Sequence, residues 1–286
     1  VIENDLRRVL AYSLNNQLGF MVVGIGIGTE LALNGTVAHA FACILYKALL
    51  FMCVGAVLFR TGTAKGSELG GLYRTMPFTM VFCIIGAASV SAFPLFSGFI
   101  SKSLIISASV SEGYNVVWAI LLLASAGVVY HSGIKVPYFM FFAHDSGLRP
   151  QEAPRHMLVA MGITGFLCVL LGVYPDFLYR FLPFIVDYEP YSTTHIVSQL
   201  QLLFFSALAL MVLMRTGMYP SNLRLINVDT DWAYRRALPS FLSSVLALYE
   251  SKVNFLIEKV ESFFGALFVL IRNMHKPRSN MFWNFS

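Results

Sequence analysis

Thr36–Phe59 reads TVAHAFACILYKALLFMCVGAVLF and holds a single charge, Lys47, near its middle. At ~1.5 Å of rise per residue, a helix of this length crosses the ~30 Å hydrocarbon core of a bilayer. His39, Cys43 and Lys47 follow one another at intervals of four, so all three project from one helical face. A lysine at mid-bilayer depth costs ~2.5–3.5 kcal/mol on insertion scales. A water-filled cavity, a partner carboxylate or loss of the proton would offset that cost. Each of these is a step in moving ions across a membrane.

The sequence around this stretch is of the same kind. It is 57% hydrophobic and 12% charged, with a mean hydropathy of +0.69, whereas soluble domains carry ~25% charged residues. The composition predicts an all-α polytopic membrane protein. No cleavable signal peptide is visible, and the chain opens at Val1 without an initiator methionine, so it reads as part of something longer. The net charge of +5 fits basic loops that set topology and calls for no nucleic acid. Cys43, Cys53, Cys83 and Cys168 lie in apolar runs without CxxC spacing and read as buried free thiols. Gly24, Gly26 and Gly28 sit inside a hydrophobic run and do not form a nucleotide loop. No redox or hydrolytic centre, no cofactor and no metal is expected in this chain.

About six spans are predicted. The first, Leu6–Gly28, has a polar uncharged middle in which Asn15, Asn16 and Gln17 suggest bonds to neighbouring helices. A short turn at Glu30–Gly35 precedes the lysine span, and a polar loop, Arg60–Arg74, follows it. Met76–Ala108 is too long for one straight helix and contains Pro94 and Gly98, so a helix break is placed at Pro94–Gly98. Lys102, a second intramembrane lysine, lies eight residues beyond Pro94. Tyr114–Phe142 contains His131, suited to a proton relay or to a satisfied core position, and Lys135, whose stem is long enough to snorkel to the interface. Met157–Val173 and His195–Met214 complete the set, separated by an irregular acidic segment, Pro175–Tyr191.

The loops differ in sign. Arg7, Arg8, Arg60, Lys65, Arg74, Arg149, Arg155, Arg215 and Arg224 fall on one side. Arg180 falls on the other, with Glu30, Glu112, Asp176, Asp187 and Glu189. The positive-inside rule makes the arginine-rich side cytoplasmic. Residues 1–216 thus form a membrane domain. Residues 217–286 form a polar linker and a C-terminal amphipathic helix whose apolar stripe runs through Leu242, Val245, Tyr249, Val253, Leu256, Val260, Phe263 and Leu267.

Four segments resemble one family in order. Asp5–Ser13 with Gln17-Leu18-Gly19, His39–Phe51 ("H-x7-K-A-L-L-F"), Ser91–Lys102 ("S-A-x-P…G-F-x-S-K") and Asp229–Arg235 ("D-x-D-W-x-Y-R") are similar to segments of the proton-translocating antiporter-like subunits. These are the large membrane-arm subunits of respiratory complex I (NADH dehydrogenase), their membrane-bound hydrogenase counterparts, and subunits A and D of the Mrp sodium/proton antiporters. The resemblance implies the C-terminal half of such a subunit. In it Lys47 is a proton-carrying lysine on the central axis, His39 its relay neighbour and Lys102 the terminal lysine near the outer exit. Cys43 stands where the family often has a second histidine. The family's first repeat, with its glutamate–lysine pair, has no counterpart here. The implied partners are therefore the missing N-terminal half, other subunits of a membrane complex and the lipid bilayer, with protons and Na+ or K+ as cargo. The Asp229–Arg235 motif and the short amphipathic tail lean toward the Mrp or hydrogenase side, and the first reading is an Mrp-type Na+(K+)/H+ antiporter of a bacterial inner membrane. The alternatives are a complex I or hydrogenase subunit and a non-pumping structural subunit.

Overall fold

The computed structural model describes residues 3–216 and 232–274. The chain divides into two compact units, Val1–Ile226 and Asn227–Ser286. In the first, α1 (Leu6–Ile27), α2 (Glu30–Thr61), α3 (Pro77–Val90), α4 (Ser97–Ser111), α5 (Asn115–Phe142), α6 (Arg155–Val173), α7 (Pro175–Tyr179) and α8 (Thr193–Arg215) follow in order. The second unit contains one long helix, α9 (Leu238–Met274), preceded by a π-helical turn over Ala233–Ala237. The protein is all-α and polytopic. Helices α2, α5, α6 and α8 are long and apolar enough to cross a membrane. Helix α1 has 22 residues but a polar middle, and α3 and α4, with 14 and 15 residues, share one broken span.

Helix α2 is the centre of the first unit and packs against α1, α3, α4 and α6. Leu49, Leu50, Val54 and Val57 are fully buried beside Leu6, Leu10, Cys83 and Cys168. The helix starts earlier than the sequence suggests. The turn is confined to Gly28 and Thr29, and Glu30–Gly35 is helical. Thr29 Oγ1 accepts from Ala32 N at 3.3 Å and caps α2. Asn34, in the segment read as a turn, is buried and bonds both backbone groups of Phe184, at 3.0 and 3.1 Å. The N-terminus of α3 is capped from a distance: the Glu152 carboxylate accepts from Phe78 N (2.8 Å) and Thr79 Oγ1 (2.6 Å).

The helix break, at Ser91–Phe96, overlaps its predicted place but begins three residues and ends two residues upstream of it. Ser97 and Gly98 form the first turn of α4. Ala92 and Leu95 reverse the backbone there with φ of 58° and 76°. Gly98 has a packing role. A Cβ on it would overlap the Ser89 carbonyl oxygen, so α4 leaves the break in direct backbone contact with α3. Gly172 of α6 meets the Leu95 carbonyl in the same way.

Helix α5 is one span, as read, but Val129–Ile134 and Tyr138–Phe142 within it are π-helical. Pro137, which lacks an amide N–H, directly precedes the second of these. The irregular Pro175–Tyr191 segment opens with the short helix α7. Asp229–Asp231 of the last motif, and Arg224, lie outside the described residues.

Candidate functional site

The site is built on α1, α2 and α4. Lys47 is buried and donates to Ser13 Oγ, and more distantly to the Leu10 carbonyl at 3.4 Å. Ser13 lies one turn along α1 from Leu10 and donates to the same carbonyl at 2.8 Å. The ammonium is thus solvated by oxygens of the neighbouring helix, the kind of partner that offsets part of the burial cost.

One turn further along α1, Gln17 bridges to α2. Its Oε1 accepts from Tyr46 OH at 2.9 Å and meets His39 Nε2 at 3.1 Å. His39 Nδ1 meets Ser101 Oγ of α4 at 2.9 Å. With the amide oxygen accepting, Nε2 carries the imidazole proton, and Nδ1 is left to accept from the Ser101 hydroxyl. All four side chains are buried. The chain of hydrogen bonds therefore runs Tyr46–Gln17–His39–Ser101 and ends beside Lys102.

Lys102 takes its bond from the break. In a continuous helix the Val90 carbonyl would accept from the amide of residue 94, but Pro94 has no N–H. Lys102 Nζ occupies the freed carbonyl at 2.9 Å. It also sits 5.3 Å from the centre of the Phe20 ring, and Phe20 lies 5.8 Å, centre to centre, from His39. From the far side of the break, Gln199 of α8 donates to the carbonyls of Ala92 (3.1 Å) and Ser91 (3.5 Å). Among the described residues, neither Lys47 nor Lys102 is paired with a carboxylate.

His131 and Lys135 stand apart on α5. Lys135 does not snorkel into water. It is buried, and its Nζ donates to the Glu3 carbonyl at 2.7 Å, because the segment before α1 folds over it. His131 lies in the first π-helical segment, which packs on α1, α3 and α8. Its Nδ1 is buried without a hydrogen-bond partner among the described residues. No group of three or more His, Cys, Asp or Glu among the described residues is arranged to hold a metal ion.

Lys47, His39 and Lys102 were singled out in the sequence, whereas Ser13, Tyr46, Ser101 and Gln199, which bond to them, to Gln17 or to the break, were not. Gln17 was grouped with Asn15 and Asn16. Only Gln17 is fully buried, and Asn15 is exposed. The available signal was spacing: Ser13 and Gln17 are four apart on α1, as are His39, Cys43 and Lys47 on α2.

Residues 1–127 match the family described as "NADH:quinone oxidoreductase/Mrp antiporter, TM". NADH-ubiquinone oxidoreductase chain 5 of Dugong dugon is 41% identical over 122 residues, which is 42% of this chain and 19% of the relative. The Phytophthora infestans chain 5 is 31% identical over 183 residues, 60% of this chain and 27% of the relative. The chain spans about a fifth to a quarter of the curated relatives it matches. Among solved structures, the archaeal membrane-bound sulfane sulfur reductase aligns over 98% of this chain and 49% of its own, at a TM-score of 0.61 and 23% identity. The Mrp complex of Dietzia sp. aligns over 59% of this chain and 40% of its own, at 0.54 and 21%. The segment that carries His39, Lys47, the break and Lys102 lies within the matched residues and is similar to the antiporter-like membrane subunits of NADH:quinone oxidoreductases and Mrp antiporters.

Proposed function

We propose that this chain translocates protons across a membrane as the second half of an antiporter-like module. Residues 1–216 are the membrane domain, and residues 217–286 a linker and interfacial or partner-bound helix. The observation that carries this reading is the buried hydrogen-bonded chain from Tyr46 through Gln17 and His39 to Ser101. It lies between two buried lysines whose ammonium groups rest on hydroxyl and carbonyl oxygens. Protons move from Lys47 through His39 to Lys102 as each group alternates between charged and neutral forms. Loss of charge at one lysine favours charge at the next, because like charges repel strongly in a medium of low dielectric. The carboxylate that Lys47 answers to comes from the other half of the module or from a neighbouring subunit. The arginine-rich loops face the cytoplasm of a bacterium or, in a mitochondrion, the matrix.

The work is best matched to an NADH:quinone-oxidoreductase-like complex, where quinone reduction elsewhere drives the relay, because sequence likeness of 41% attaches to that machine. An Mrp-type exchange of Na+ or K+ for protons is the second reading, favoured by the Asp229–Arg235 motif. The test uses the assembled native complex in sealed vesicles. Lys47→Ala is expected to abolish voltage generation with the complex still assembled at normal amount. Undiminished voltage from Lys47→Ala would sink the proposal. Voltage driven by NADH without added Na+ or K+ selects the first machine, and strict dependence on an imposed cation gradient selects the second.

A further inference from the structure

A cavity of about 650 Å³ opens between α4, α5, α8 and the segment before α8. It far exceeds the ~10–15 Å³ that a single water needs. Its lining includes Ser107 of α4, Tyr188 and Glu189, and His195 and Gln199 of α8. The relay described above reaches Lys102 and uses none of these side chains.

Three observations tie the cavity to Lys102. Gln199 lines the cavity and holds the carbonyls of Ser91 and Ala92, while Lys102 holds that of Val90, so the two side chains grip consecutive residues of one broken backbone. His195 lies one turn before Gln199 on the same face of α8, and its ring packs on Phe99, three residues before Lys102, at 4.9 Å between centres. His195 Nδ1 meets the Pro190 carbonyl at 3.1 Å. A carbonyl only accepts, so Nδ1 carries the proton of the neutral ring and Nε2 carries the lone pair. An imidazole locked in that tautomer accepts a proton at one nitrogen and releases it again from the same atom.

We propose that this cavity is the aqueous outlet of the relay and that His195 is its terminal proton carrier. His195 takes up at Nε2 a proton released from Lys102 through water at the break and returns it to water beside Glu189. This rests on the proton-translocation reading above. Tyr188 and Glu189 are the other titratable groups lining the cavity; α4 and α5 contribute hydroxyl and apolar side chains, Ser107, Ser111 and Trp118 among them. The Ser107 and Tyr188 hydroxyls are bonded to each other at 2.8 Å.

The test is His195→Gln in the assembled complex in sealed vesicles, read as the rate of voltage generation at equal amounts of assembled complex. The rate is expected to fall roughly a hundredfold, the lower end of what a positioned proton-transfer side chain contributes. Added imidazole is expected to restore it, while pyrazole, of the same shape but far weaker as a base, is not. A normal rate in His195→Gln, or a loss that neither or both additives repair, overturns the proposal. Lys47→Ala separates the two levels. If it abolishes voltage while His195→Gln is normal, only the outlet is wrong; if it too is normal, the translocation reading falls.

Discussion

Lys47 and Lys102 are both buried and both held by oxygens, yet their surroundings are made from different material. Lys47 sits on an unbroken helix of 32 residues and is held chiefly by a side chain, Ser13, with the Leu10 carbonyl more distant at 3.4 Å. Lys102 sits beyond a break and is served by backbone, the Val90 carbonyl that Pro94 leaves open. A side-chain environment is tuned one substitution at a time and degrades gradually. A backbone environment is fixed by where the chain bends and by close contacts that admit no Cβ, so it holds or fails as a unit. The relay therefore joins an adjustable end to a rigid one.

The largest expected effect falls on the rigid end. A side chain at Gly98 overlaps the Ser89 carbonyl, and relieving that overlap means moving backbone. Gly98→Val is expected to cost roughly 3 kcal/mol or more, the upper range for overpacking a core. The readout is loss of assembled complex together with a lowered Tm for what remains. Assembly at normal levels would show that the break is softer than its contacts imply.

The adjustable end should respond in steps. Gln17→Leu removes the one acceptor shared by His39 and Tyr46 and leaves two buried donors, each costing about 1–3 kcal/mol. Voltage generation should fall while assembly persists, and Gln17→Glu, which keeps an acceptor, should lose less. Tyr46→Phe removes a single bond to Gln17 and is expected to cost about 1 kcal/mol, seen as a small drop in Tm with most transport retained. If Tyr46→Phe silenced transport while Gln17→Glu did not, the hydroxyl itself would be part of the proton path.

The two ends also differed in how far they could be read in the sequence. Lys47 and His39 were legible because an apolar run long enough to span a bilayer carries its own ruler, and spacing of four assigns the face. Pro94 announced a break, but its limits were hidden. The reversal is made by Ala92 and Leu95 at positive φ, and residues with a Cβ in that conformation leave no mark in composition. The hydrogen-bonded chain from Tyr46 to Ser101 needs the registers of three helices at once, which no single-helix periodicity contains. Lys135 was misjudged because its partner, the Glu3 carbonyl, is a main-chain atom 132 residues away.

The smallest expected effect makes the sharpest control. Gly55 lies on the unbroken helix α2, and a Cβ there meets nothing within 4 Å. Its φ is not among the positive values of the chain, so alanine fits the backbone without strain. Replacing a helix-interior glycine by alanine then gains about 0.5–1 kcal/mol through lower unfolded-state entropy. Gly55→Ala should raise Tm slightly and leave transport unchanged. The same change at Gly98 puts a Cβ into a carbonyl oxygen and should lower Tm and transport together. One methyl group with opposite signs at two glycines would be the mark of a relay with one adjustable and one rigid end. Equal responses at both would mean that the contrast between side-chain and backbone solvation of the two lysines has no energetic content.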